Sequence, residues 1–337
     1  MYSKLFDLPL FSQLNYNKTL MFQTRINIPV SEIRISYEEN IMTLGSCFAE
    51  NIGKRLKDVY FETDINPFGV LYNPVSIKNS IELLLLNKAF TKDDIFENKS
   101  LWQSFAHSSQ FTGLSELECL SNINSRLNSS GKFFQNTNVL LITFGSARVF
   151  EEKKSGRVVS NCHKLPEADF ERHVLTVNEI VTGYTDLIGR LQNLYPALNI
   201  IFSVSPIRHW KDGAHENNIS KSILLMAIDE LQKRYDRIHY FPAYEILLDE
   251  LRDYRFYASD MLHPSEVAVD YIWSRFSETY FNDHTLQLKK RLEQLVADRA
   301  HRPFQPESAE YKKFLEHTEK RKAEILHDFP FLSNRIK

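Results

Sequence analysis

The sequence predicts an α/β protein built on an open, doubly wound parallel sheet. Short apolar segments alternate with segments that have the apolar spacing of helices. Glycine or polar residues follow these apolar segments, as they do at the carboxyl edge of a parallel sheet, where sites in such folds lie. Of the 337 residues, 43% are hydrophobic, which is enough for a sizeable core. The five predicted strands begin near Ile41, Tyr60, Val139, Ile200 and Ile238.

The first half of the chain contains the first two strands. Residues 41–44 form an apolar strand, followed by a Gly45-Ser46 turn and a helix predicted to end near Val59. A second strand, 60–65, leads into a proline-rich loop, and helical spacing returns over 75–87. Residues 100–113 mix aromatic side chains with serines, which predicts a loop or short strands over a cleft; a helix follows over 114–128.

The second half contains the other three strands. Residues 139–144 form the most apolar run of the middle region and predict a buried parallel strand. A hairpin is expected over 148–159, and a helix begins after Thr176, with Glu179 as the partner in its capping box. The remaining elements are strands at 199–204 and 238–241 and helices at 220–235, 244–251 and 265–281.

These elements suggest three parts: an N-terminal tail over 1–24, a main domain over 25–283 and a helical appendage over 284–337. The appendage reads as two charged helices separated by the Pro-containing segment 302–306. We expect its helices to pack against the domain or a partner, which leaves a homodimer open.

Composition argues against several classes of partner. With 41 basic and 43 acidic residues the net charge is -2, which gives no reason to expect nucleic acid or an anionic membrane. Three cysteines without regular spacing argue against a disulfide framework. No run has the apolar length of a membrane helix, and the N-terminus lacks a clear signal-peptide core. A cytoplasmic protein without a cofactor is expected.

Two short motifs carry the predicted chemistry. Ser46 follows a strand and begins a helix, a position that exposes a hydroxyl beside a helix N-terminus; the alternative is that it is only an N-cap. Asp260 precedes His263 by three residues, so its carboxylate can reach the same imidazole. A serine needs a base, and a histidine oriented by a carboxylate supplies one. The chain order Ser, Asp, His favours a catalytic triad.

The run Gly45-Ser46-Cys47-Phe48-Ala49 spells the signature of the GSCFA family, and the sequence resembles that family from about residue 28 to 281. Bacteroidetes-type, and therefore bacterial, members look most similar. Further matching stretches lie at 64–69, 161–166, 205–213 and 260–264. The family is related to the SGNH, or GDSL-like, hydrolases. The resemblance implies a flavodoxin-like three-layer α/β/α fold.

The resemblance also implies roles for single residues. Ser46 would be the nucleophile, completed by Asp260 and His263, and the N–H groups of Ser46 and Gly69 would form an oxyanion hole. Gly145 stands at the third-block position, where the wider group has Gly-x-Asn; here the stretch is Gly145-Ser146-Ala147, without the asparagine. A lost oxyanion donor typically costs about 3 kcal/mol of transition-state stabilisation. The replacement donors considered are Asn161, His163 and Asn66.

Other polar and aromatic residues are weaker predictions. Five are expected to line a substrate pocket, although each is as readily a hydrogen-bonded or packed loop residue: Trp102, His107, His163, Arg208 and His209. Cys47 is expected to be a buried structural thiol. A metal site built from Cys162, His163, His209 and His215 matches no short zinc motif.

The sequence thus predicts a serine esterase or acyl transferase acting on a small or carbohydrate-linked acyl ester. One alternative is a catalytically degenerate binding module, in which the third-block change marks lost chemistry. Another is a metal-dependent hydrolase that uses the histidine-containing loops.

Overall fold

A computed structural model of the chain describes residues 23–29 and 31–336. The predicted tail, 1–24, therefore lies almost wholly outside the described residues.

Strands and helices alternate along the chain as the apolar pattern predicts. The strands are β1 (Ile41–Gly45), β2 (Thr63–Ile65), β3 (Phe96–Asn98), β4 (Leu101–Gln103), β5 (Val139–Phe144), β6 (Arg148–Glu152), β7 (Arg157–Val159), β8 (Phe170–Val174), β9 (Asn199–Val204) and β10 (Ile238–Phe241). The helices are α1 (Cys47–Asp58), α2 (Pro74–Leu86), α3 (Glu116–Phe134), α4 (Val177–Leu194), α5 (Ala214–Gln232), α6 (Ala243–Glu245), α7 (Glu266–Tyr280), α8 (Asp283–Ala300) and α9 (Ala309–Asp328).

The central sheet has five parallel strands in the order β10-β9-β5-β1-β2. Counted along the chain, this is the flavodoxin-like order 2-1-3-4-5. The strand order reverses between β1 and β5, where Gly45 pairs with Thr143. The predicted fold class is confirmed, including all five predicted strands.

The alternation of side chains along the strands separates two hydrophobic layers. In β5, Leu140, Ile142 and Phe144 belong to the layer under α2, α3, α4 and α5, while Val139 and Leu141 belong to the layer under α1 and α7. Both faces are covered, as expected for a parallel sheet. The sheet is therefore the middle of three layers, and its carboxyl edge is the one left to loops.

The two C-terminal helices also form, with the predicted break between Ala300 and Ala309. Leu288, Leu292 and Leu295 of α8 are buried with α1 and α7, and Ile325 of α9 joins them. These contacts show packing of the helices against the sheet domain. The division of the chain into a tail, a domain and an appendage stays a prediction.

The predicted hairpin forms, but the sequence pattern missed the strand beside it and misplaced the start of one helix. The predicted hairpin, β6 and β7, is part of a three-stranded antiparallel sheet, because β8 pairs with the other edge of β6. Polar residues interrupt β8, so no apolar alternation marks it. Helix α5 begins at Ala214, six residues before the predicted start, directly after Gly213 with its φ of 82°.

No helix within the described residues is both long and apolar enough to span a membrane.

Candidate active site

Ser46 lies at the carboxyl end of β1, at the reversal of strand order. Its Oγ accepts a hydrogen bond from the Phe48 N–H at 3.3 Å, so it is the N-cap of α1. The residue is only 1% exposed. Ser46 therefore has the position expected of a nucleophile and also makes the hydrogen bond of a helix cap. The two roles are compatible, because an oxygen that accepts the Phe48 N–H still has its own hydroxyl hydrogen to donate.

Gly45 is required by this turn. Its φ of 131° is a conformation that side chains resist, and a Cβ there would overlap the backbone carbonyl of Thr143 on β5. Its N–H donates to Oδ1 of Asn66 at 2.9 Å, and its carbonyl accepts from the Leu71 N–H at 2.9 Å. The backbone before Ser46 is thus held from both neighbouring strands.

Asp260 and His263 form a local pair in the loop before α7. Oδ1 of Asp260 accepts the N–H groups of Leu262 and His263, each at 2.9 Å, and Oδ2 accepts from Nδ1 of His263 at 2.5 Å. These backbone hydrogen bonds, followed by the imidazole contact, lower the pKa of Asp260 to about 2. Both side chains are about half exposed. The pairing leaves Nε2 as the ring nitrogen available for chemistry.

Within the described residues, no hydrogen bond joins Ser46 Oγ to His263. The two halves of the predicted triad lie on separate loops, and the triad as a joined set stays a prediction.

The four predicted oxyanion donors are already engaged. The N–H of Ser46 donates to the Thr143 carbonyl at 3.2 Å, that of Gly69 to Asn66 at 2.8 Å and that of Gly145 to Tyr72 at 2.7 Å. Because each backbone nitrogen has a single hydrogen, none of the three is free as it stands. The Asn161 amide donates to Ser109 Oγ at 3.2 Å and accepts from the His163 N–H at 2.8 Å.

Asn66 offers a free donor beside Ser46. It is 4% exposed, and its backbone N–H donates to the carbonyl of Thr43 in the middle of β1. Because Gly45 donates to its side chain, the amide oxygen must face Gly45. Its Nδ2 group is buried and has no hydrogen-bond partner among the described residues. A buried, unpaired amide donor is unusual in a protein and calls for an explanation.

A cleft of about 670 Å³ opens next to this turn; its lining includes Tyr72, Asn73, Ser146, Asn161, Cys162 and His209. Tyr72 connects it to the signature motif, since its Oη lies 3.7 Å from Cys47 Sγ. Burial, and then the neighbouring thiol, raise the pKa of Tyr72. Cys47 is partly exposed and contacts a residue of the cleft, so the prediction that it is a buried structural thiol is wrong. The first residue of α1 points towards solvent here, not into the core.

The GSCFA family model matches residues 40–276, about 70% of the chain. The chain belongs to the GSCFA family. A second model, described as the C-terminal domain of GSCFA domain proteins, matches residues 292–334. No curated protein matches the chain.

Solved structures give only distant likenesses. A family two carbohydrate esterase from Clostridium thermocellum, in complex with cellohexaose, is 12% identical with a TM-score of 0.35, over 80% of this chain and 67% of that one. A family 3 carbohydrate esterase from the same organism is 13% identical with a TM-score of 0.32, over 75% and 98%. The acetyl xylan esterase Est2A from Butyrivibrio proteoclasticus is 9% identical with a TM-score of 0.35, over 75% and 64%. Likenesses of this size carry no argument about this GSCFA protein.

The residues predicted to bind substrate do not share one pocket. His209 lines the large cleft, where burial lowers its pKa to about 4, and Arg208 lines a second groove. His163 is 5% exposed, with Nε2 at 2.8 Å from the Ser104 carbonyl. Trp102 packs against the hydrophobic core from β4.

His107 is a core residue and not the pocket residue that the sequence suggested. It is 1% exposed, and its ring packs against Phe68, Phe90 and Phe111. Burial, and then the charge of His163, lower its pKa to about 3. A neutral imidazole among phenylalanines packs as an aromatic side chain, which is a structural role.

One face of α5 organises the edge of the cleft, and sequence reasoning missed it. Asn217 accepts the His209 N–H at 3.0 Å, and Ser220 Oγ accepts the Ala147 N–H at 2.8 Å. Lys221 Nζ donates to the carbonyls of Gly145 at 2.7 Å and Ser205 at 2.8 Å. All three side chains are at most 3% exposed. Their spacing of three and four places them on one helix face, which is the signal that could have revealed them.

Lys221 is the most unusual of these residues. It is fully buried, and burial, followed by the charge of Arg208, lowers its pKa to about 7. Its two acceptors terminate β5 and β9, so this side chain ties together the strand ends on which Gly145 and Ser205 lie. Tyr244 provides an aromatic face 5.6 Å from Nζ.

Within residues 23–29 and 31–336, no three His, Cys, Asp or Glu side chains are grouped so that they could hold a metal ion.

Proposed function

We propose that this GSCFA protein is a serine hydrolase, or acyl transferase, that acts on ester bonds. The observation that carries the proposal is the Asp260–His263 pair, in which a carboxylate held by two backbone N–H groups orients an imidazole through Nδ1. This is the arrangement in which a carboxylate fixes the tautomer of a catalytic histidine and stabilises its imidazolium form. Ser46, at the end of β1, is the proposed partner.

The proposed reaction uses three side chains. Ser46 Oγ attacks the ester carbonyl while Nε2 of His263 takes the hydroxyl proton and then delivers it to the leaving alcohol. Water or another hydroxyl releases the acyl group from Ser46 in the reverse order. Asp260 stays ionised through this cycle, because its pKa of about 2 lies far below neutral pH. The proposal requires the loop of His263 to bring Nε2 within hydrogen-bond reach of Ser46 Oγ.

Asn66 is the proposed oxyanion donor in place of the missing third-block asparagine. Its Nδ2 is buried and unpaired, and the Gly45 N–H fixes its orientation through Oδ1. A donor that is already desolvated and already oriented needs no reorganisation when charge develops on the substrate oxygen.

The large cleft supports an ester whose part bound in this cleft is uncharged, and either hydroxyl-rich or small. Its serine, asparagine, tyrosine and histidine side chains offer hydrogen bonds, whereas its two arginines are paired with carboxylates: Arg148 and Arg172 both contact Asp212. Neutral donors and acceptors on an aromatic background suit an acylated sugar or a small acetate ester.

The direct test is turnover of a panel of acetyl esters, from 4-nitrophenyl acetate to acetylated monosaccharides, by wild type and His263→Ala. We expect wild-type turnover of at least one ester and a loss of 10³-fold or more in the variant. His317→Ala, which changes an exposed histidine on α9, is the matched control and should retain full activity. Equal turnover by wild type and His263→Ala would rule out the triad.

A binding module without catalysis is the second candidate. It is favoured by the engaged N–H groups of Ser46, Gly69 and Gly145, which leave only the Asn66 amide free near the serine. A panel ligand that raises the melting temperature without being turned over would support this candidate over the hydrolase.

A further inference from the structure

A second groove, of about 560 Å³, lies beside the Asp260–His263 pair. Successive residues of the loop after β9 line different spaces, since His209 faces the large cleft and Arg208 faces this groove. The groove is also lined by Trp210, Tyr254, Tyr257, Asp260 and Met261. We call it the Arg208 groove. Its position next to Asp260 makes it part of the same edge of the sheet as the proposed triad.

Arg208 has no acidic or hydrogen-bonding partner for its guanidinium among the described residues. Among the arginines that the structure describes, it is the only one that is partly buried and whose guanidinium makes neither a salt bridge nor a hydrogen bond. Other partly buried arginines, such as Arg55 and Arg126, are paired with carboxylates. The guanidinium nitrogens of Arg208 are not among the buried, unpartnered atoms of the described residues, so they are accessible from the groove. Their five N–H donors are therefore available for ionic hydrogen bonds to a ligand.

The other charged groups of the groove are engaged within the protein. Asp253 is paired with Arg255 at 3.0 Å, and Asp260 with His263 at 2.5 Å. Arg252, the other cation of the lining, is paired with Asp249 at 3.0 Å. Asp260 keeps its negative charge, because a histidine that acts as a base is neutral, but its oxygens are taken up by the N–H groups of its own loop and by the imidazole. Arg208 is then the cation of the lining that is left to contact a ligand.

The buried ammonium group of Lys221 is a second positive charge close to Arg208. The charge of Arg208 is one of the causes that lower the pKa of Lys221, so the two cations repel each other. An anion at Arg208 would offset that repulsion and would hydrogen-bond the guanidinium. The groove also has a ring-binding wall, because Trp210 is 54% and Tyr254 75% exposed. Aromatic side chains exposed to this extent offer flat apolar surfaces to a ligand.

We propose that the Arg208 groove binds an oxyanion, a carboxylate or a phosphate, carried on the leaving alcohol of the substrate. This inference rests on the proposed function. A triad histidine returns its proton to the leaving oxygen, so the leaving group lies on the side of His263, where the groove is. The bond between the acyl carbon and the alcohol oxygen breaks, the bond to Ser46 Oγ forms, and the proton passes from Ser46 through His263 to the alcohol. Arg208 holds the charged end of that alcohol by a bidentate contact.

Binding of the expected leaving groups tests the groove without requiring turnover. The probes are phenol, 4-hydroxybenzoate and 4-hydroxyphenyl phosphate, titrated into wild type, Arg208→Gln and the control Arg255→Gln. Arg255 is an exposed arginine close in sequence to the groove residues, and it is paired with Asp253. We expect at least one anionic phenol to bind wild type tenfold or more tightly than phenol, and Arg208→Gln to remove this preference while Arg255→Gln retains it. The two anions distinguish a carboxylate from a phosphate site.

Hydrolysis of the matching acetates extends the test to the leaving group. The pair is 4-acetoxybenzoate and its methyl ester, with rates corrected for their hydroxide-catalysed hydrolysis. We expect the ratio of kcat/KM for the anionic over the neutral ester to fall at least tenfold in Arg208→Gln. If wild type binds phenol and both anions equally, the proposal that the Arg208 groove binds an oxyanion is wrong, whether or not the protein hydrolyses esters. If the protein binds an anion through Arg208 but hydrolyses no ester, the result supports the anion site and argues against the proposed hydrolase activity.

Discussion

The two loops that carry the proposed triad are built in opposite ways. Ser46 is 1% exposed. In the turn before it, Gly45 donates its N–H to Asn66 and accepts the Leu71 N–H, and β5 approaches closely. Asp260 and His263 are half exposed, and their hydrogen bonds run mainly within their own loop. The nucleophile is therefore part of the sheet, whereas the acid–base pair belongs to a half-exposed loop that is held largely by its own hydrogen bonds.

This difference separates what each loop contributes. Changes at the Ser46 turn should affect folding and chemistry together, because the same backbone bonds serve both. Changes at the Asp260–His263 loop should affect chemistry with little loss of stability, because few buried contacts depend on it. The following variants test this comparison, beginning with the largest expected effect.

Gly45→Ala tests the rigidity of the Ser46 turn. The added Cβ would overlap the Thr143 carbonyl, and the φ of 131° is unfavourable for alanine. We expect a loss of about 4 kcal/mol or more in the free energy of unfolding, measured by urea denaturation, or no folded protein. The control is Gly189→Ala on α4, where no atom lies within 4 Å of the new Cβ. That variant should be neutral or gain about 0.5–1 kcal/mol. Equal stability of the two variants would contradict the account of the turn.

Asn66→Asp tests whether the turn also supplies the oxyanion donor. The substitution keeps an oxygen for the Gly45 N–H and removes the unpaired Nδ2. We expect kcat/KM to fall about 100-fold or more, which corresponds to about 3 kcal/mol of transition-state stabilisation. Asn161→Asp, at the other asparagine considered, should cause a much smaller loss. A larger effect at Asn161 than at Asn66 would transfer the role to Asn161. Urea denaturation of both variants separates loss of activity from loss of folded protein.

Lys221→Met tests the support that α5 gives to the cleft edge. The pKa of Lys221 in the folded protein, about 7, lies below the usual lysine value of 10.5, so the unfolded chain binds more protons between these values. Stability of the wild type should therefore rise with pH across this interval relative to the variant. Between pH 7 and 9 we expect the difference in the free energy of unfolding to change by about 2 kcal/mol in favour of wild type. Parallel pH profiles would show that Lys221 keeps an ordinary pKa.

The sequence was sufficient for the fold because the fold follows from local patterns. Apolar runs mark the five strands of the central sheet. Ser46 and Thr176 are positions where the sequence predicts helix caps, and in the structure both side chains accept backbone N–H groups. Strand β8 could not be predicted, because its sequence has no apolar alternation and its pairing with β6 does not require one.

Less of the site could be predicted, because it depends on partners far apart in the chain. The buried face of α5 contacts loops that lie 8 to 76 residues away in sequence. The spacing of Asn217, Ser220 and Lys221 puts them on one helix face, but the sequence does not show that this polar face is buried. The engaged N–H groups of Gly69 and Gly145 depend on the loop that contains Asn66 and Tyr72. His107 was mistaken for a pocket residue because the three phenylalanines around it come from separate segments.

The most direct test of the central claim is labelling with a fluorophosphonate probe, followed by intact-mass measurement of wild type, Ser46→Ala and Cys47→Ala. The account predicts one adduct on wild type and on Cys47→Ala, and none on Ser46→Ala. An adduct that persists in Ser46→Ala would contradict the assignment of Ser46 as the nucleophile, and one lost only in Cys47→Ala would assign the role to the thiol beside Tyr72. A folded wild type that forms no adduct, together with no ester turnover, would favour the binding module.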